Sequence, residues 1–249
     1  MKFTIDKNII LENLNNVIKG VSTKNVIPVL NGIKFDLTNQ GLSLTASDSE
    51  LTINSFIEAK EIATIESTGT IVIQSKFILD IIRKLPSDLI HFEMIDRLKI
   101  RIYTENAQYN LNCLDANDYP NLKMDEHKDP VLLNGEVLKS LINQTVFAIS
   151  TQELRPLFTG INITIMGDLL VFLATDSYRL AKKNIKLSTS VATDINIVIP
   201  GKNIIELEKI IVDDECVEMH IFNNKVLFKY KNIKFQTNLL PGTYPNTSK

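Results

Sequence analysis

The chain has 249 residues, 44% of them hydrophobic and 22% charged, with a formal net charge of −2. That balance suits a globular protein with a real core and excludes collagen-like, low-complexity and highly charged disordered chains. No apolar run reaches the roughly 18 residues of a membrane span. The charged opening Met1-Lys2-Phe3-Thr4-Ile5-Asp6-Lys7 does not read as a signal peptide, so a cytoplasmic protein is expected. Cys113 and Cys216 are too few for a disulfide framework and are expected to be reduced.

In chain order, Phe3-Thr4-Ile5 alternates as a strand. Asp6 is a plausible N-cap for a helix over Lys7–Lys19, whose Ile10, Leu14, Val17 and Ile18 recur at helical spacing. Strand-like runs follow at Gly32–Leu37, Leu42–Ala46 and Leu51–Ile57. A strand at Thr70–Ile73 leads into a helix over Lys76–Leu85, with Ser75 as its cap. Strands at Leu89–Ile95, Leu98–Thr104 and Gln108–Leu114 follow. The polar stretch Lys123–Pro130 reads as a linker, and further helices are expected near Gly135–Phe147 and Lys202–Ile211.

The pattern is a repeat. Pro28-Val29-Leu30-Asn31-Gly32-Ile33 returns as Pro156-Leu157-Phe158-Thr159-Gly160-Ile161, and Ala46-Ser47-Asp48-Ser49 as Ala174-Thr175-Asp176-Ser177. Val72-Ile73-Gln74-Ser75-Lys76 returns as Val198-Ile199-Pro200-Gly201-Lys202, and Tyr119-Pro120-Asn121 as Tyr244-Pro245-Asn246. Four anchors in one order imply two copies of one domain, over 1–125 and 126–249. Each copy reads as strand-helix-three strands, twice. The class is α+β, with single-striped helices on one face of antiparallel sheets.

Enzyme signatures are sparse. None of the nine glycines has dinucleotide-fingerprint or P-loop spacing, and there is no Gly-x-Ser-x-Gly elbow. His91, His127 and His220 lack metal-ligand companions in sequence, so neither a metal nor a cofactor is expected. Asp48 and Asp176 stand as a conceivable carboxylate pair, but their equivalent places in the two copies favour a turn role, since catalytic pairs need different environments. The four helical segments with their flanking loops carry ten of the 27 basic and six of the 29 acidic residues, a mildly basic set on an acidic body. That suits weak, sequence-independent phosphate contact. It equally suits ordinary solvated helix faces.

Taken together, Ile27-Pro28-Val29-Leu30-Asn31-Gly32-Ile33, Leu44-Thr45-Ala46-Ser47-Asp48-Ser49-Glu50, Leu114-Asp115-Ala116-Asn117-Asp118-Tyr119-Pro120 and Ala174-Thr175-Asp176-Ser177-Tyr178-Arg179-Leu180-Ala181 resemble the bacterial replicative sliding clamp, the beta subunit of DNA polymerase III. The resemblance spans the chain. It implies tandem DNA-clamp domains and a non-catalytic processivity factor that encircles duplex DNA and tethers the replicative polymerase. It implies DNA contacts at Lys24, Lys76, Gln152 and Lys202, with Ser75 departing from a common Arg. It also implies a cleft for short peptide motifs of polymerase, clamp loader and repair proteins. The cleft wall would comprise Phe158, Thr175, Ser177, Tyr178, Arg179, Leu180, Pro245 and Lys249, with Tyr178 replacing a common His.

Family members have three domains and close as homodimers. A truncated fragment lacking the third domain, and so not closing a ring, is therefore expected. A natural two-domain clamp closing as a trimer and a β-rich peptide-binding module remain alternatives.

Overall fold

A computed structural model of the chain describes residues 1–22, 25–86, 88–212 and 214–246. It divides into two compact units: Met1–Lys123 with Asn232–Lys234, and Met124–Lys231 with Phe235–Lys249.

In the first unit, strand β1 (Lys2–Asp6) runs straight into helix α1 (Lys7–Val17). Asp6 caps that helix: its Oδ1 accepts from the Asn8 and Ile9 amides at 2.7 and 3.3 Å. Strands β2 (Gly32–Thr38), β3 (Gly41–Ser47), β4 (Leu51–Glu58) and β5 (Ile62–Ser67) follow. Then come β6 (Gly69–Gln74), helix α2 (Ser75–Lys84), β7 (Leu89–Asp96), β8 (Lys99–Tyr103) and β9 (Gln108–Asn112). They form two antiparallel ladders, β5-β1-β7-β8-β9 and β4-β3-β2-β6.

Helix α1 packs on β3 and β4, and α2 packs on β2 and β6. The helices bury Ile10, Leu14 and Val17, and Ile78, Leu79 and Ile82. Each such side chain contributes about 1.5–3 kcal/mol of transfer free energy. Phe3 stacks flat on Phe92 beneath them, with centroids 4.7 Å apart.

The second unit repeats the plan. Its elements are β10 (Val131–Asn134), α3 (Gly135–Asn143), β11 (Gly160–Met166), β12 (Leu169–Thr175) and β13 (Leu180–Lys186). Next are β14 (Ile195–Pro200), α4 (Gly201–Glu208), β15 (Cys216–Ile221), β16 (Lys225–Tyr230) and β17 (Ile233–Asn238). The ladders are β10-β15-β16-β17 and β13-β12-β11-β14. Asn134 caps α3 through its Oδ1, as Asp6 caps α1.

The repeated glycine of the Pro-x-x-x-Gly motif has a packing cause. A Cβ on Gly32 would meet Val72 Cγ1 at 2.5 Å and Ile73 O at 2.9 Å, and one on Gly160 would meet Ile199 O at 2.7 Å. Only glycine lets each strand start lie this close to its neighbour.

The sequence pattern and the structure differ in several places, and helix α4 also stops at Glu208, short of the expected Ile211. The first unit has a strand that the pattern missed. β5 has mostly exposed side chains, so its Ile62-Ala63-Thr64-Ile65-Glu66-Ser67 shows little apolar alternation; pairing with β1 makes it a strand. Ser75 is not the cap of α2. It is the first helical residue, and its hydroxyl donates to Asn31 O at 2.7 Å while Gln74 takes the cap position with no side-chain bond.

The helix expected over Lys7–Lys19 leaves α geometry after Val17 and tightens to a 3-10 turn at Ile18–Gly20. The helix expected near Gly135–Phe147 ends at Asn143, where the Thr145 hydroxyl turns back to Leu141 O at 2.7 Å. Among the described residues, no helix is long and apolar enough to cross a membrane. The stretch 119–130 lacks helix and strand, and its second half is tied down: the His127 amide donates to His220 Nδ1 at 2.8 Å.

Candidate functional site

The site is built on the turn between β12 and β13. Ser177 adopts a left-handed backbone, φ 79°. Asp176 makes that turn affordable: its Oδ1 accepts from the Tyr178 and Arg179 amides, both at 3.0 Å, and its Oδ2 takes the Arg179 Nε at 3.0 Å. Those two backbone bonds first, then the Arg179 charge, hold the Asp176 carboxyl below its ordinary value. Thr175 closes the turn from inside, donating to Arg179 O at 2.6 Å and accepting from the Ser177 amide at 3.1 Å. Its own amide donates to the buried Tyr244 hydroxyl at 3.0 Å.

This turn thrusts Tyr178 into solvent, 97% exposed. Facing it, the loop before β11 brings Ser150, Gln152, Leu154, Arg155 and Phe158 around a groove of about 260 Å³ that is open to solvent. Leu154 is 90% exposed. Arg155 lies over the Phe158 ring at 5.8 Å, and Phe158 meets Tyr244 edge-on at 6.1 Å. Arg179 lies over the half-exposed Phe147 ring at 5.9 Å. Leu154, Phe158 and Tyr178 beside Arg155, with Ser150, Gln152, Asp176 and Ser177 completing the lining, suit a short peptide with apolar anchors and polar flanks.

Of the residues expected at a peptide cleft, Phe158, Ser177 and Tyr178 line this groove. Arg179 and Leu180 follow on the turn and are exposed, and Pro245 is exposed beside Tyr244. Thr175 is buried, with its hydroxyl engaged inside the turn rather than offered to a ligand. Lys249 lies outside the described residues. Gln152, expected at DNA, lines the same groove. Sequence reading missed Leu154 and Arg155 as wall residues; a leucine beside arginine in Gln152-Glu153-Leu154-Arg155 was the available signal.

The basic helix positions differ among themselves. Lys76 and Lys202 are exposed in the first turns of α2 and α4, Lys76 lying over the Phe77 ring at 4.5 Å. Lys24 lies outside the described residues. Lys7, counted among the basic helical charges, serves the fold: its Nζ donates to Arg83 O at 3.2 Å and Leu85 O at 2.5 Å, closing the C-terminal end of α2. Arg83 donates to Asn15 Oδ1 at 2.8 Å. Asp48 and Asp176 both cap turns by accepting amides two and three residues on, which is the structural use expected of them. The fold also gives His220 acidic companions, Glu126 and Glu218. Lys229 meets both carboxylates, at 2.7 and 3.8 Å, so an ammonium already serves this group.

Tandem α+β units with paired, single-striped helices on antiparallel ladders define the DNA-clamp fold class. The chain matches the DNA polymerase III beta subunit, N-terminal domain, over residues 1–123 and its central domain over residues 132–246. The beta sliding clamp of Bacillus subtilis is 43% identical over 253 residues, covering all of this chain and 67% of the relative. That of Staphylococcus aureus is 37% identical over 254 residues with the same coverage. A crystal structure of the Bacillus subtilis clamp superposes with a TM-score of 0.96, covering 100% of this chain and 67% of that one. A Pseudomonas aeruginosa sliding clamp bound to griselimycin, 25% identical, superposes at 0.91, covering 99% and 66%. The chain therefore belongs to the DNA polymerase III beta subunit family, the bacterial DNA sliding clamps, and spans about two thirds of its relatives' length.

Proposed function

We propose that the chain works as a non-catalytic processivity component in the cytoplasm. Its two clamp domains, near 1–125 and 126–249, contribute to a ring around duplex DNA, and its groove receives peptide motifs of polymerase, clamp loader and repair proteins. In this reading the ring is a homodimer of three-domain subunits. Two such domains account for the share of its relatives' length that the chain matches. Lys24, Lys76, Gln152 and Lys202 make weak phosphate contacts, spread over both copies so that no single contact arrests sliding.

The observation that carries the reading is the groove at the β12–β13 turn. A fully exposed tyrosine, an exposed leucine and a half-buried phenylalanine stand together with Arg155, and Ser150, Gln152, Asp176 and Ser177 complete the lining. Isolated apolar residues on a surface need no explanation, but a concave group of them flanked by charge does. The Pseudomonas aeruginosa clamp bound to griselimycin supplies a probe. Calorimetric titration of this chain with griselimycin tests the groove. Saturable binding that Phe158→Ala weakens at least tenfold supports the reading; binding indifferent to Phe158→Ala, Leu154→Ala and Tyr178→Ala refutes it.

A further inference from the structure

The two units carry the same small apolar cluster at matching places. In the second, Leu173, Val198 and Tyr244 are buried, with Leu157, Phe158 and Leu240 packed against them. In the first, Val29, Leu30, Val72 and Tyr119 are buried. Hydrogen bonds set the equivalence: the Leu114 amide donates to Val72 O at 2.9 Å, as the Leu240 amide donates to Val198 O at 2.9 Å. Each tyrosine hydroxyl then reaches the end of the strand before the left-handed turn, Tyr119 to Thr45 O and Tyr244 from the Thr175 amide.

The covering differs. In the first unit Leu122, from the segment after Tyr119, packs onto the cluster together with Leu114 and Ala116, and Val29 and Leu30 are only 6% and 1% exposed. Their counterparts Leu157 and Phe158 are half-buried, and Phe158 lines the groove. The residue matching Leu122 in the repeat is a polar threonine, Thr247.

We propose that the first unit keeps a second groove of the same plan, selective for a short peptide with a leucine anchor, and that Leu122 occupies it in cis. The inference rests on the reading of the second unit's groove, since that likeness makes Leu122 an occupant and not merely a core residue. A tethered occupant is present at high effective concentration, so a free peptide does not displace it. Leu122 is itself partly exposed, so truncating it opens a pocket to solvent and does not seal a void inside the core. The groove is thereby closed to partners in the first unit and open in the second, although both carry the same turn.

The test uses the whole chain with Leu122→Ala and a synthetic peptide copying residues 116–123, Ala-Asn-Asp-Tyr-Pro-Asn-Leu-Lys. Methyl NMR follows Val29, Leu30 and Val72. Expected are saturable shifts of these methyls in Leu122→Ala at millimolar peptide, at least tenfold weaker binding to the unmutated chain, and no response to a peptide whose leucine is replaced by alanine. A folded Leu122→Ala chain whose methyls do not respond overturns the inference. Should that variant fail to fold, Leu122→Val keeps part of the anchor, and a titration identical to that of the unmutated chain overturns the inference. Griselimycin separates the two readings. If it does not bind the unmutated chain, the second-unit reading fails. If it binds and the peptide leaves Val29, Leu30 and Val72 unmoved in the variant, the first-unit inference alone fails.

Discussion

Ser49 and Ser177 occupy the same left-handed turn in the two copies, with φ of 78° and 79°. The surrounding bonds match as well: Ser47 and Thr175 hydroxyls each donate to the carbonyl four residues on, at 3.0 and 2.6 Å. One backbone device thus serves a turn that ends in a buried Leu51 in the first unit and in an exposed Arg179 and Leu180 in the second. A left-handed non-glycine residue costs about 1–2 kcal/mol, and glycine relieves this while adding freedom to the unfolded chain. Ser177→Gly is therefore expected to leave stability within about 0.5 kcal/mol. Ser177→Val is expected to lose more than about 1 kcal/mol, because a β-branched residue resists positive φ. Urea unfolding distinguishes the two.

The Asp176 carboxylate is held below its ordinary value of 3.8 by the Tyr178 and Arg179 amides and then by the Arg179 charge. A depressed folded value means that the turn's contribution is fully present above pH 3.8 and is lost as pH falls through the lower folded value. The affinity of the proposed groove for a titrated probe is expected to be flat from pH 5 to 8 as far as this carboxylate is concerned, with Asp176→Asn weakening it across that whole range. Calorimetry at several pH values checks both statements.

Tyr178 and Phe158 share the groove but not the core. Tyr178 is 97% exposed, so Tyr178→Ala is expected to leave the unfolding midpoint unchanged and still reduce groove affinity. Phe158 packs on Tyr244 and the Leu173–Val198 cluster, so Phe158→Ala should cost about 1–3 kcal/mol of stability as well as affinity. Parallel thermal melts and titrations separate these effects.

Lys7 and Lys76 are both helix-start lysines, with opposite expected roles. Removing the Lys7 ammonium strips the Arg83 and Leu85 carbonyls of their donor, and Lys7→Met is expected to cost about 1–2 kcal/mol. Lys76→Met is expected to leave stability unchanged and to lower the salt slope of duplex DNA binding by about one. Denaturation curves and binding measured across a salt series give the two readouts.

The cysteines are expected to react differently. Burial pushes the Cys113 thiol up to about 11, whereas Cys216 is exposed at the start of β15. An alkylating reagent on the native protein at pH 8 should modify Cys216 and spare Cys113 until the chain unfolds. Mass spectrometry of the labelled peptides reads this directly.

Much was legible along the chain because it depends on neighbours in sequence. The α1 cap at Asp6, the apolar stripe Ile10–Leu14–Val17 and the repeated Pro-x-x-x-Gly and Asp-Ser turns are local devices, and doubling each one doubled the signal. What failed was also instructive. β5 carries too little apolar alternation to announce itself and exists because β1 offers it hydrogen bonds. Ser75 has the composition of a cap, but the tertiary approach of Asn31 O gave its hydroxyl a better partner.

By itself, the order of residues determined that two copies of one α+β plan exist, where their turns fall and which family they resemble, because periodicity, caps and turn residues act over a few positions. The tertiary structure alone decided which charges and apolar groups are available. Lys7 opens α1 in the sequence but gives its ammonium to the end of α2, and Leu154 and Arg155 became groove walls only when their loop was folded against the Tyr178 turn. Burial and hydrogen-bond partnership are settled between residues as far apart as Lys7 and Leu85, and that distance lies beyond any local pattern.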